Sequence, residues 1–251
     1  MLDVIYVLWL RNVLRYIQSK SRIIALLGMP LFFLIILGFG LNPVMNIPVQ
    51  QNGYKGFVIP GVVAMSVLFM SIFSGVQIIW DKQVGFIKET LIAPVTRLEI
   101  MVGQTLGGAT TAIIQGLLTL IIAVLFSGIT VFSPYGFCVA LVFMMLVGIS
   151  FTALGIAFSS QMEDTQVFQL IMSFVIFPIF GLSGALFPIS TLPSWMKFLT
   201  YLDPLTYGVE GIRWGLFGQS AINPVTSFIV LSAFTAVTVT VGQHLFKSIK
   251  I

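Results

Sequence analysis

Side chains able to do acid–base, metal or ion-pair chemistry are few in this chain, and two stretches stand out for combining acids and bases. The first, DKQVGFIKETLIAPVTRLE over 81–99, carries Asp81, Lys82, Lys88, Glu89, Arg97 and Glu99. The second carries Asp203, Glu210 and Arg213. Glu210 and Arg213 stand three apart and can pair on one helix face, while Asp203 is placed to cap a helix beginning at Pro204. Neither stretch has the composition of a catalytic centre. The lone histidine, His244, has no second His and no intramembrane carboxylate pair to work with, so it reads as an interfacial or packing residue. Cys138 is the only cysteine and lies in an apolar run, where a packing role is expected. No Gly-Lys-Ser or Gly-Lys-Thr occurs, so the loop that cradles phosphates in an ATPase is missing. Catalytic residues, metal ligands and a bound cofactor are therefore not expected in this chain.

The elements that position these residues belong to a membrane. Hydrophobic residues make up 58% of the 251 and charged ones 8%, against roughly a quarter charged in soluble domains. Six stretches of about 20 apolar residues fit: 23–41, 57–80, 100–126, 135–158, 165–187 and 225–246. The expected fold is all-α, one transmembrane domain over 1–251. Residues 1–22 mix Ile5, Leu8, Trp9 and Tyr16 with Arg11, Arg15 and Lys20, as in an amphipathic helix lying in the interface. No small-residue cleavage site follows, so the first apolar run is expected to be retained. Residues 81–97 form a charged connection in which Val84, Ile87 and Leu91 recur at helical spacing up to Pro94. Residues 188–223, broken by Pro188, Pro193 and Pro204, are too apolar for a loop and too interrupted for a span. Short re-entrant or interfacial helices fit there. The hydroxyls of Ser66, Ser71, Ser74, Thr105, Thr110 and Thr111 suit contacts between helices, and Gly103-x-x-x-Gly107 and Gly211-x-x-x-Gly215 permit close approach.

Charge placement sets an orientation. With the N-terminus cytoplasmic, nine of the twelve Lys and Arg lie inside (Arg11, Arg15, Lys20, Arg22, Lys82, Lys88, Arg97, Lys247, Lys250) and three outside (Lys55, Lys197, Arg213). Both termini are then cytoplasmic, in the plasma membrane. The basic residues form no dense patch with aromatics between them, which argues against nucleic acid. The middles of the spans carry no charge, which disfavours proton or ion coupling. A transport protein with neither its own ATPase nor an ionisable relay is driven from outside. The amphipathic segment after the second span is the place for a soluble motor to dock.

Two stretches resemble the ABC type-2 permease family, the membrane subunits of ATP-binding-cassette exporters of drugs, lipids and polysaccharides. WDKQVGFIKETLIAPVTRLEIMVG (80–103) is similar to the family's coupling-helix region, and LFPISTLPSWMKFLTYLDPLTYGVEGIR (186–213) to its extracellular re-entrant element. Gln83-Val84-Gly85-Phe86 departs from the acidic-Gly-Thr common among relatives. The resemblance implies two such subunits, a homodimer or a heterodimer, in membrane lipid with two ATPase subunits that bind ATP and Mg. Lys82, Lys88, Glu89 and Arg97 become the expected contact with the motor, with Val84, Ile87 and Leu91 as the packed face. Pro188, Pro193, Trp195, Asp203, Pro204, Tyr207, Glu210 and Arg213 become the outer gate, and Trp195, Tyr201, Tyr207 and Trp214 an interfacial belt. The implied activity is export of a hydrophobic or amphiphilic cargo, drug or lipid. Export of a lipid-linked glycan, an ATP-independent channel or carrier, and a non-transporting scaffold are the alternatives.

Overall fold

The computed structural model describes residues 2–40, 53–86, 95–128 and 134–247. Ile87, Lys88, Glu89 and Leu91 of the expected coupling helix, most of the 42–55 loop, the centre of the 127–134 turn and the tail after Lys247 lie outside the described residues. Among the described residues the helices are α1 (Leu2–Gln18), α2 (Lys20–Phe33), α3 (Gly53–Phe73), α4 (Val76–Gln83), α5 (Arg97–Ser127), α6 (Pro134–Ser160), α7 (Thr165–Leu182), α8 (Ser194–Leu202), α9 (Pro204–Phe217) and α10 (Pro224–Lys247). After Pro30, α2 widens into π-helical turns over Leu34–Gly40. Six stretches among the described residues are long and apolar enough to cross a membrane: Lys20–Gly38, Gly53–Gln83, Arg97–Ser127, Pro134–Ser160, Thr165–Leu182 and Pro224–Phe246.

Local chemistry explains the ends of several of these. Thr96 and Glu99 form a reciprocal capping box at the start of α5, the Glu99 carboxylate accepting from the Thr96 amide at 2.7 Å. Two of the orphan amides of the first turn are thereby satisfied. The same helix stops at Gly128, whose φ of 66° suits the left-handed cap. Asp164 caps α7, accepting from the Gln166 amide at 2.6 Å.

The bundle is organised around α3, which packs on α2, α5, α6 and α9. Of the most apolar window of the α3–α4 span, 89% is buried, against 17% for α2 and 22% each for α7 and α10. Lipid tails give no hydrophobic drive between helices, so close contact depends on small residues and polar links. Between α3 and α4 the chain steps at Ser74-Gly75, where a Cβ on Gly75 would lie 2.5 Å from the Gly155 carbonyl oxygen of α6. Ser66 and Thr119 share a hydrogen bond of 2.8 Å between α3 and α5, whereas Thr105 and Thr111 turn back to carbonyls of their own helix.

Two expectations are corrected. The fifth span, expected to reach 187, ends at Leu182, because Ser183 and Gly184 (φ 67°) turn the chain. The 183–187 turn then folds inward, with Ala185 fully buried beside Gly61 and the Tyr54 hydroxyl donating to the Leu186 carbonyl at 2.8 Å. Cys138, expected in the packing, lies exposed on the outer side of α6.

Candidate functional site

The polar side chains gather at opposite ends of the bundle. At the end where α1 lies, Asp81 is 1% exposed and is the hub. It pairs with Arg11, and Arg15 approaches at 3.4 Å. The amides of Gln77 (2.9 Å) and Gln104 (3.5 Å) also donate to it. Asn12 donates to Gln104 at 2.6 Å, Trp9 to Thr110 at 3.0 Å, and the Tyr16 hydroxyl to Gln115. A charge buried this deeply is tolerated only when paired and hydrogen-bonded, and here the partners come from α1, α4 and α5. The contact is close because α5 presents glycine: a Cβ on Gly103 would lie 2.9 Å from Leu8 Cβ, and one on Gly107 2.6 Å from Asn12 Nδ2. The Gly103/Gly107 pattern thus serves α1 docking.

The next residues along the chain are tied to α6. The Lys82 ammonium donates to the carbonyls of Ser159 (3.3 Å), Ser160 and Met162 (3.2 Å), and the Gln83 amide to that of Glu163 at 2.9 Å. A cation on the last carbonyls of a helix satisfies orphan acceptors and complements the helix dipole. Lys82, expected to meet a motor, is therefore engaged within the bundle. Val84, expected on the packed face, is 75% exposed. Gly85, at φ 78°, breaks the helical register after α4, and Phe86 takes the inner position instead, with the Arg11 guanidinium 4.0 Å above its ring. Arg97 opens α5 on the other side of the connection. The structure thus brings Lys82 and Arg97 to the two roots of the 84–96 segment.

At the far end, α9 is a short buried helix packed on α3, α6 and α10. Glu210 and Arg213 pair on it as the spacing suggested, at 0% and 5% side-chain exposure. Arg213 also donates to the Gly184 carbonyl at 3.0 Å and lies 4.1 Å over the Phe57 ring. Glu210 accepts from the Ala221 amide. One pair therefore joins α9, α3, the 183–187 turn and the loop before α10. Gly211 meets the Phe143 ring, and a Cβ on Gly215 would lie 2.6 Å from the Ala140 amide nitrogen, so α9 can sink this deep.

Asp203 caps α9 through the Leu205 amide at 2.9 Å, with Pro204 in the first turn. Burial pushes its carboxyl up to about 7, against the opposing pull of the hydrogen bonds from Leu205 and Thr206. Pro188 precedes a single 3₁₀ turn, Ile189–Thr191, and Pro193 precedes α8. Trp195 and Tyr201 are exposed on α8, Tyr207 and Trp214 half-buried on α9. Tyr207 donates to the Tyr201 carbonyl at 2.8 Å. Neither end sets a nucleophile against a base, and among the described residues no three His, Cys, Asp or Glu gather around a point. Both are clamps between helices.

Residues 3–217 match the ABC-2 type transporter family. The chain belongs to that family. It is 30% identical over 237 residues to a putative transport permease, ycf38, of Cyanophora paradoxa, covering 92% of this chain and 79% of that protein. It is 26% identical over 240 residues to the inner membrane transport permease YadH of Escherichia coli K12, covering 90% and 88%. With nodulation protein J of Rhizobium leguminosarum bv. viciae the identity is 27% over 248 residues, covering 95% and 92%. As an ABC-2 transport permease the chain is a membrane protein, and the family match takes in both 80–103 and 186–213.

Within this ABC-2 permease the residues that sequence reasoning passed over are Arg11, Asn12, Asp81, Gln104 and Gln115. Each had a signal. Asp81 closes a long apolar run, Arg11 and Arg15 are four apart, and Gln104 and Gln115 interrupt an otherwise apolar span. What was missing was which of them meet.

Proposed function

We propose that the chain is the membrane-spanning subunit of an ATP-binding-cassette exporter, acting as a pair with two copies of a separate ATPase. The ATPase binds ATP and Mg and docks on the 84–96 connection at the cytoplasmic side. The observation that carries this reading is the way that connection is rooted. Asp81 ties its start to α1 and α5, Lys82 and Gln83 tie it to the end of α6, and the Thr96–Glu99 box fixes its exit. A push on such a segment reaches three helices at once, whereas a solvated loop would absorb it. Arg11, Arg15, Lys20, Arg22, Lys82 and Arg97 all belong to this end, which supports a cytoplasmic location for it and for both termini, in the plasma membrane.

Cargo passage is assigned to a face shared by two copies. The least enclosed neighbours, α2 and α7, meet through Phe33 and Phe180 at 5.8 Å, and present Phe32, Ile36, Leu170 and Phe174 outward. Such a lining suits a hydrophobic or amphiphilic cargo, a drug or a lipid, better than a free glycan. Pro188, Pro193, Trp195, Asp203, Tyr207 and the Glu210–Arg213 pair form the outer gate.

The test uses the chain reconstituted in vesicles with the ATPase that copurifies with it. Reversing charges with Lys88→Glu and Glu89→Lys is expected to leave ATP hydrolysis running while ATP-dependent cargo movement is lost. Normal coupled transport by the double variant would overturn the docking assignment. Cargo movement without nucleotide would instead favour a carrier.

A further inference from the structure

Beside the Asp81 hub the fold leaves a crevice, open on one side, that the clamp residues line in part but do not fill. Asn12, Arg15, Tyr16, Arg22, Gln77 and Gln104 are among the residues that line it, and its room of about 30 Å³ would take a couple of waters or the oxygens of one phosphate group. Charge decides between them. Asp81 does not line the crevice, since its oxygens are engaged by Arg11, Arg15, Gln77 and Gln104. Arg22 has no carboxylate partner among the described residues. Tyr16 cannot serve as one: burial pushes its phenol up to about 12, so it remains a neutral hydroxyl. Two guanidinium groups thus share a small hollow that no carboxylate lines, and the neighbouring Asp81 is already outnumbered by Arg11 and Arg15.

Position indicates which anion. Only Ser19 separates α1 from α2. The outward face of α1 shows Tyr6, Val7, Leu14 and Ile17, each at least 44% exposed, so this helix lies at the boundary of headgroups and acyl chains. The crevice at the α1–α2 elbow is then level with lipid phosphates. Below it, α2 is mostly unburied and presents Ile24, 70% exposed, to the surroundings. We propose that this crevice is a phospholipid site, in which Arg15 and Arg22 grip the phosphate while the acyl chains run down α2. Planar guanidinium forks match phosphate oxygens in this way.

Native mass spectrometry of the full chain, released from detergent with dioleoyl-phosphatidylglycerol, reads this directly. Arg15→Gln and Arg22→Gln are each expected to weaken lipid retention about tenfold, the loss of one charge-assisted contact. Lys197→Gln at the far end should retain lipid as the unmodified chain does. Undiminished retention by the Arg15→Gln/Arg22→Gln double variant would overturn the site. Displacement of the lipid by millimolar inorganic phosphate would overturn the lipid assignment in favour of a free anion. Should the variants fail to fold, the unmodified chain decides: phosphatidylglycerol with a photoreactive group near its phosphate should label peptides spanning 12–24. Labelling confined to α7 and α10 would reject the proposal.

Discussion

The two ends of this permease are each held by a buried acid paired with arginine, yet the two arrangements differ in reach. At the α1 end, Asp81 meets Arg11 and Arg15 from a separate helix, and Arg15 is 49% exposed. At the far end, Glu210 and Arg213 belong to one helix, are almost fully enclosed, and reach outward through a backbone carbonyl and an amide. A pair within one helix is not pulled apart when helices slide past one another, and near-complete burial leaves its side chains little room to turn away. A pair between helices can slide apart, and the half-exposed Arg15 offers water a way in. The first is built to seal, the second to yield. Buried pairs of either kind contribute less to net stability than to specifying one arrangement, and that is the property in which the two ends differ.

The sharpest way to break this comparison is to strip one partner from the sealed end. Arg213→Leu leaves the Glu210 charge buried alone and is expected to lower stability by about 3–5 kcal/mol, read as a drop in the thermal midpoint in detergent. Adding Glu210→Gln should restore much of it. No shift in the single variant would mean that the far end is not sealed.

Asp203 sharpens the same contrast through pH. Its folded carboxyl titrates near 7 and its unfolded one near 3.9. Below about pH 4 both states are protonated. As pH rises towards 7 the unfolded chain ionises first, and stability falls by a few kcal/mol before levelling off. Asp203→Asn keeps a capping oxygen and should flatten that slope, measured as thermal inactivation at pH 5 and pH 8. A slope that persists in the variant would assign it to another group.

Smaller effects belong to the α1 end. Asp81→Ala is expected to cost about 1–3 kcal/mol, and hydrogen exchange should accelerate in α1 while α9 stays protected. Equal acceleration in both would remove the distinction between the ends. Lys82→Met removes a cation from the last carbonyls of α6 and should cost at most about 1 kcal/mol, visible as faster exchange confined to the 159–163 amides. Global loosening would instead make Lys82 a central support.

How much could be read from the chain depended on the range of each interaction. The Asp203–Pro204 start of α9 and the Glu210–Arg213 pairing were both legible, because each depends on residues no more than three apart. The end of the fifth span was not, since Ser183-Gly184 reads as helix in an apolar run, and the inward turn there is one that Gly61 leaves room for by admitting Ala185. Val84 was misplaced for a similar reason: its spacing with Ile87 and Leu91 assumes an unbroken helix, and the positive φ of Gly85 interrupts it.

From the chain alone came the membrane class with room for six spans, the Asp203 cap before Pro204, and the Glu210–Arg213 spacing. Apolar length, composition and capping are local properties, and a membrane admits few alternatives for them. It took the packed bundle to show that Asp81 takes Arg11 from 70 positions away, that Lys82 closes α6, and that Arg22 is left facing a hollow without a carboxylate. Those choices follow from which helices stand side by side, and glycines such as Gly103 and Gly107 that let them touch carry no mark of their partner in the sequence.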